Sequence, residues 1–191
     1  AALLLTGETW LKIPQSMKIT LKGQLQRWVT AKDVILTIIG DVSASGADYC
    51  SVEFHGNIAQ LSVEDRFTIA NMGVEMGAKN AMFPVDGVTR RYLTSIGVSK
   101  TRYTPLSFDP GATYDRELSY NLTTMGPVVA VPHSVDKVKP IKDVEGIEIQ
   151  QCLLGTCTNG RLSDLKIAAQ ILKGKTVDPH VRLLILPASR Q

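Results

Sequence analysis

Residues 151–186 constrain the fold more than any other stretch of the chain. Gln151 to Leu154 is a short apolar run of strand length, Leu162 to Lys173 carries helical spacing and is closed by Gly174, and Val181 to Leu186 is a second apolar run. Strand, helix and strand within about 35 residues are the signature of a right-handed crossover between parallel strands. The loop between the first strand and the helix, Gly155-Thr-Cys-Thr-Asn-Gly160, then falls at the carboxyl end of a strand and the start of a helix. Open α/β sheets bind their ligands at such places.

The same alternation recurs upstream. Met17 to Leu21 alternates as a strand and closes at Lys22-Gly23. Thr30-Ala-Lys-Asp33 reads as a capping box opening a helix, with Val34, Ile35, Ile38 and Ile39 as its apolar face and Gly40 as its stop. Ser51 to His55 is a short strand between Gly46 and Gly56. Ser62-Val-Glu-Asp65 is a second capping box, opening a helix with Phe67, Ile69, Ala70, Val74 and Met76 on its buried side and an end around Gly77. From Thr101 to Met125 the pattern loosens, although Glu117 to Leu122 alternates as an edge or half-exposed strand. Gly126-Pro127 then punctuates the chain ahead of the apolar run Val128 to Val131, and a domain boundary is expected there. The expected fold class is α/β, with mixed and parallel sheets and flanking helices.

Charge and composition exclude several classes. The formal charge is +3, from 21 Lys+Arg against 18 Asp+Glu, and the basic residues are dispersed singly or in pairs. Nucleic acid is not an expected partner, since phosphate binding needs cations clustered on one face. The longest apolar stretch, Val34 to Gly40, is interrupted by Thr37 and falls far short of the roughly 20 residues of a membrane span. Three cysteines, Cys50, Cys152 and Cys157, are too few and too scattered for a disulfide framework, so a reducing compartment, the cytoplasm, is expected. Neither end reads as a natural terminus, and the chain is expected to be cut from a longer one.

Two places could carry chemistry. At Cys157, backbone N–H groups and the positive end of the following helix would favour the thiolate that binds metal or attacks an electrophile. The residues alone leave open a second reading, a small side chain in a tight turn. Cys152, inside the apolar run, reads as core, and Cys50 has no metal-ligand spacing to a neighbour. In Asn71-Met-Gly-Val-Glu75 the two polar residues stand four apart and share a helix face. By itself that describes a solvated polar edge, flanked by Gly73 and Gly77, which permit close approach of a backbone or a ligand. His55, His133 and His180 lack helical metal-ligand spacing and read as structural.

Six segments run almost end to end and in order: Thr6-Gly-Glu-Thr-Trp-Leu-Lys-Ile-Pro14, Thr30-Ala-Lys-Asp-Val-Ile-Leu36, Val52-Glu-Phe-His-Gly56, Asn71-Met-Gly-Val-Glu-Met-Gly77, Pro132-His-Ser-Val-Asp136 and Gly155-Thr-Cys-Thr-Asn-Gly-Arg161. Together they resemble the aconitase superfamily, in particular the large subunits of 3-isopropylmalate dehydratase and homoaconitase. The resemblance implies aconitase-type three-layer α/β domains: residues 1–12 as the tail of a first, 13–126 as a second and 127–191 as the beginning of a third. It implies a 4Fe-4S cluster held by three cysteine thiolates, with one iron open as a Lewis acid. Cys157 matches the first ligand, while the other two belong to a later Cys-x-x-Cys that this sequence does not contain. Asn71 and Glu75 match the catalytic polar groups set against the open iron and the substrate hydroxyl.

The activity implied is isomerisation of a 2-hydroxy acid by dehydration and rehydration, as in 3-isopropylmalate dehydratase of leucine biosynthesis, with homoaconitase or aconitase as alternatives. The implied partner is a small subunit or swivelling domain carrying the proton-abstracting serine, so this chain alone is not expected to complete the site. An alternative of another class is a non-catalytic interaction domain that keeps the family fold without a cluster.

Overall fold

The computed structural model describes residues 2–189. Its elements are, in order, α1 (Ala2–Thr6), β1 (Gln15–Lys22), α2 (Ala31–Val42), β2 (Cys50–Gly56), α3 (Val63–Met72), β3 (Asn80–Met82), α4 (Gly87–Ser95), β4 (Arg116–Asn121), β5 (Val128–Ala130), β6 (Val138–Pro140), β7 (Gln151–Gly155), α5 (Leu162–Leu172) and β8 (Arg182–Leu186). The main sheet has the order β3-β2-β1-β4 and is parallel throughout. The chain is thus an α/β protein, as its alternating pattern requires.

Strand alternation decides which face of this sheet is buried. Met17, Ile19 and Leu21 on β1 stand beside Val52 and Phe54 on β2 and form one core with the apolar faces of α2 and α3. Each such side chain contributes about 1.5–3 kcal/mol on burial. The residues between them, Lys18 and Thr20 on β1 and Glu53 and His55 on β2, point to the opposite face and are half-buried. The segment leading into β4 covers part of that face: Phe108 stacks on His55 with ring centroids 4.0 Å apart, and the Tyr114 hydroxyl donates to Glu53 Oε2 at 2.6 Å.

Both capping carboxylates form as expected. Asp33 Oδ2 accepts from the Thr30 N–H at 2.8 Å, and its Oδ1 accepts from Val128 N at 2.9 Å, so one carboxylate starts α2 and ties down β5. Asp65 accepts from Ser62 N at 2.9 Å, and Ser62 Oγ accepts from Asp65 N at 3.1 Å. Gly40, expected to stop α2, does not, and the helix runs on to Val42. The glycine instead makes room for β6, because a Cβ there would come 3.0 Å from the Cβ of Val138.

The last unit has the expected crossover, β7 and β8 parallel with α5 between them. All the large side chains that are fully buried lie between Met17 and Leu122, and α5 buries none. Cys152, expected in a core, is exposed for the same reason: among the described residues no layer covers its side of the β7–β8 ladder. Three elements, β3, α4 and β6, are absent from the sequence reading, and of these β3 and β6 are only three residues long. No helix of the described residues is long and apolar enough to cross a membrane.

Candidate active site

The loop after β7 is shaped by its backbone. Gly155 has φ +145° and Thr156 φ +77°, and a Cβ on Gly155 would fall 2.1 Å from Leu186 O. Only glycine tolerates that approach. The loop then closes through Ala188 N donating to Gly160 O at 2.7 Å and through Asp164, which accepts from Arg161 N and Asn159 Nδ2, both at 3.1 Å. Between these anchors Cys157 is left exposed with a free thiol, while its neighbour Thr158 turns inward.

Inward means onto α2 and α3. The Thr68 hydroxyl donates to Thr158 O at 2.9 Å, and Lys32 Nζ donates to Thr158 Oγ1 at 3.3 Å. The Arg161 guanidinium lies over the Phe67 ring at 4.8 Å, and Ser163 Oγ bonds to the Glu64 carboxylate. Glu64, Phe67, Thr68 and Asn71 follow the spacing of one helical face, so a single stripe of α3 receives the loop. At its end the Cys157 thiol donates to Asn71 Oδ1 with the sulfur 3.9 Å away, across 86 residues of sequence.

This arrangement corrects the sequence reading of α3. Phe67 and Val74, expected on the buried side, are exposed, and the core side is Val63, Arg66, Thr68, Ile69 and Met72. Periodicity gave Phe67 to the core because it is apolar, but its ring serves the loop and the edge of Tyr92. Asn71 and Glu75 also do not share a continuous α-helix. The chain tightens into a 3-10 turn over Gly73–Met76, which carries Glu75. The close approaches at Gly73 and Gly77 are to protein, Ala81 Cβ at 2.7 Å and Asp48 Cα at 2.9 Å from an added Cβ.

Lys32 completes the electrostatics. Burial pushes its ammonium below the usual lysine range, while the negative charges available at Cys157, Glu75 and Asp164 act in the opposite sense. Glu75 therefore belongs to the same charged neighbourhood as Cys157, although no direct contact joins them. Cys157 and Arg161, with Glu64, Tyr92 and Ile96, also line a cleft of about 440 Å³. Cys50 is buried on β2, and burial pushes its thiol up, so it is a poor ligand. Sequence reasoning missed Lys32, Thr68 and Arg161. Each acts through a contact with a residue at least 90 positions away, which local spacing does not record.

A parallel α/β scaffold thus presents a strand-to-helix cysteine against the Asn71 carboxamide, with Lys32 and Glu75 in the same charged neighbourhood. The model of the aconitase family (aconitate hydratase) matches residues 1–146 and again 139–191, and the chain belongs to that family. It is 49% identical over 191 residues to a 3-isopropylmalate dehydratase large subunit of a Thermoanaerobacter species, covering all of this chain and 45% of that one. It is 46% identical over 192 residues to 3-isopropylmalate dehydratase large subunit 2 of Archaeoglobus fulgidus, and 46% over 191 residues to a probable methanogen homoaconitase large subunit of Methanosarcina mazei. The shares of those two chains covered are 46% and 48%, so the chain spans about half the length of the curated relatives it matches.

Proposed function

We propose that this chain supplies Cys157 as one thiolate ligand of a 4Fe-4S cluster, and Asn71 and Glu75 as catalytic polar groups, within the large subunit of a hydro-lyase. The substrate proposed is a 2-hydroxy acid, isopropylmalate in leucine biosynthesis, isomerised by dehydration and rehydration. The single observation that carries this reading is the meeting of the Cys157 thiol with Asn71, 3.9 Å apart.

The donor chemistry fits one corner of such a cluster: an exposed, free thiol at a strand-to-helix loop with a lysine beside it. The other two ligands are proposed to come from a Cys-x-x-Cys beyond this sequence, as the family resemblance implies. A bound cluster would supply Lewis acidity toward the hydroxyl that leaves. The protein groups do the rest of what this chain offers. The Asn71 amide can donate through Nδ2 to a hydroxyl oxygen while Oδ1 faces the sulfur. The Glu75 carboxylate can take or return a proton on that hydroxyl. Lys32 offsets the negative charge that a thiolate and a carboxylate place together.

The base that removes the carbon-bound proton is assigned to a small subunit or swivelling domain, and residues 1–12, 13–126 and 127–191 to three successive domains of the large subunit. The free thiols suit the cytoplasm. Homocitrate is the second substrate reading, favoured by the 46% identity to the Methanosarcina mazei relative. The test is the full-length gene product with its partner subunit, reconstituted anaerobically and assayed with isopropylmalate, homocitrate and citrate. About four iron and four sulfide per chain are expected, with isopropylmalate turned over fastest. Cys157→Ser abolishes both cluster and turnover, whereas a wild-type protein that binds no iron and sulfide refutes the proposal.

A further inference from the structure

Among the described residues, the unit that carries Cys157 gives its loop no buried apolar packing from α5. Its helix α5 buries no residue, and the apolar side chains Leu153, Ile167, Ile171 and Ile185 are all exposed. The loop is nevertheless set down on α2 and α3, and beside the Arg161–Phe67, Ser163–Glu64 and Cys157–Asn71 contacts one loop residue is held twice. Thr158 is 9% exposed, beside the exposed Cys157, and both of its available oxygens are taken by the other unit. Its carbonyl accepts from Thr68, itself 3% exposed, and its hydroxyl accepts from Lys32.

Thr68 has a choice of acceptor. Its hydroxyl stands 3.3 Å from Glu64 O, the local bond that threonines make back along a helix, and 2.9 Å from Thr158 O. One hydroxyl carries one proton, and the shorter bond crosses to the loop. The position lies one turn before Asn71 on the stripe that receives the loop. Fixing Thr158 there fixes the next side chain back, Cys157, against Asn71.

We propose that Thr68 and Lys32 are positioning residues for the cluster ligand: gripping Thr158 by its carbonyl and its hydroxyl, they seat the 155–160 loop so that the Cys157 thiol faces Asn71 before any iron is bound. The assignment rests on the cluster-binding reading of Cys157 for its purpose, and on the hydrogen bonds alone for its geometry. Neither residue touches a reacting atom: Thr68 acts through the loop alone, and Lys32 through the loop in addition to its charge.

The experiment uses the full-length gene product with its partner subunit and three variants: Thr68→Val, which keeps the shape and loses the donor, Thr68→Ser, which restores it, and Lys32→Met. Two quantities are measured. The first, on cluster-free protein, is amide hydrogen exchange over residues 155–160 together with the rate of Cys157 alkylation, followed by mass spectrometry. The second, on reconstituted protein, is the rate of iron release to a chelator. Removing the donor from a buried carbonyl shifts the seated–unseated equilibrium by roughly tenfold. Thr68→Val and Lys32→Met are therefore each expected to raise loop exchange and iron release about tenfold, with far-UV circular dichroism unchanged and Thr68→Ser close to wild type.

Unchanged loop exchange in Thr68→Val overturns the proposal. So does faster exchange with wild-type iron release, because the seat would then not govern the ligand. Equal losses in Thr68→Val and Thr68→Ser, with a lowered melting temperature in both, also overturn it by showing a general effect on folding. Should the wild type take up no iron, the proposed function fails, and the exchange measurement alone decides whether these two residues seat the loop.

Discussion

Removing the Asp86 carboxylate should undo the wall of the cleft through one buried guanidinium. Arg66 on α3 is 4% exposed and forms a bidentate pair with Asp86, Nη1 to Oδ1 at 2.8 Å and Nη2 to Oδ2 at 2.7 Å, with its Nε left without a partner. Asp86 is also the N-cap of α4, accepting from Val88 N at 3.0 Å and Thr89 N at 3.1 Å. In Asp86→Ala the lost cap costs about 1 kcal/mol and the unpaired buried guanidinium about 3 kcal/mol, near 4 kcal/mol together. Asp86→Asn keeps a competent cap and loses the charge, so about 2–3 kcal/mol is expected. The pH dependence separates the two causes. The Arg66 hydrogen bond, above all, holds the Asp86 carboxyl at about 2, below its usual 3.8. A depressed carboxylate stabilises the fold above the unfolded value and ceases to do so as pH falls through the folded one. A quarter of the Asp86 side chain meets solvent, which reduces this share from about 2.4 to roughly 1.5 kcal/mol. Urea unfolding followed by far-UV circular dichroism should therefore show a wild-type advantage over Asp86→Asn that is full at pH 5 and narrows between pH 4 and 2. A cost under about 1 kcal/mol for Asp86→Ala, or a gap independent of pH, refutes the reasoning.

Three further outcomes are expected. Gly77→Ala forces an alanine into φ +89° with its Cβ 2.9 Å from Asp48 Cα, and should cost about 3 kcal/mol in thermal melting. In an alkaline absorbance titration Tyr114 should ionise at about 12, because its hydroxyl donates to Glu53, and Tyr114→Phe should remove that late component. The sign follows from the raised value: the contribution of this bond is intact below about 10 and is lost as pH rises through 12. Cys152→Ser should leave iron and sulfide content of the reconstituted full-length protein at the wild-type level, unlike Cys157→Ser, since Cys152 is exposed on the ladder away from the α2 and α3 contacts.

Much of the fold was legible because local rules point one way at β1, α2, β2 and the crossover of β7, α5 and β8. Alternation marks β1, bounding glycines β2 and apolar runs β7 and β8, and Thr30 with Asp33 and Ser62 with Asp65 mark the starts of α2 and α3, all through short-range sequence signals. Gly40 misled because a glycine inside a helix looks like a stop until the neighbour that needs its missing Cβ is known, here Val138. Phe67 misled for a related reason. An apolar ring reads as core, yet the surface waiting for it was a guanidinium delivered from 94 residues away.

For the site, the sequence by itself singled out the strand-to-helix cysteine, Asn71 and Glu75 as candidates, together with the resemblance that links them, because these depend on residue identity and short spacing. Tertiary structure decided that Thr158, Thr68 and Lys32 hold the cysteine loop on α2 and α3, and that Cys157 and Asn71 meet. The reason is physical: a hydrogen bond between threonines 90 residues apart leaves no periodic trace in either local sequence, since each is compatible with many partners and only the folded chain selects one.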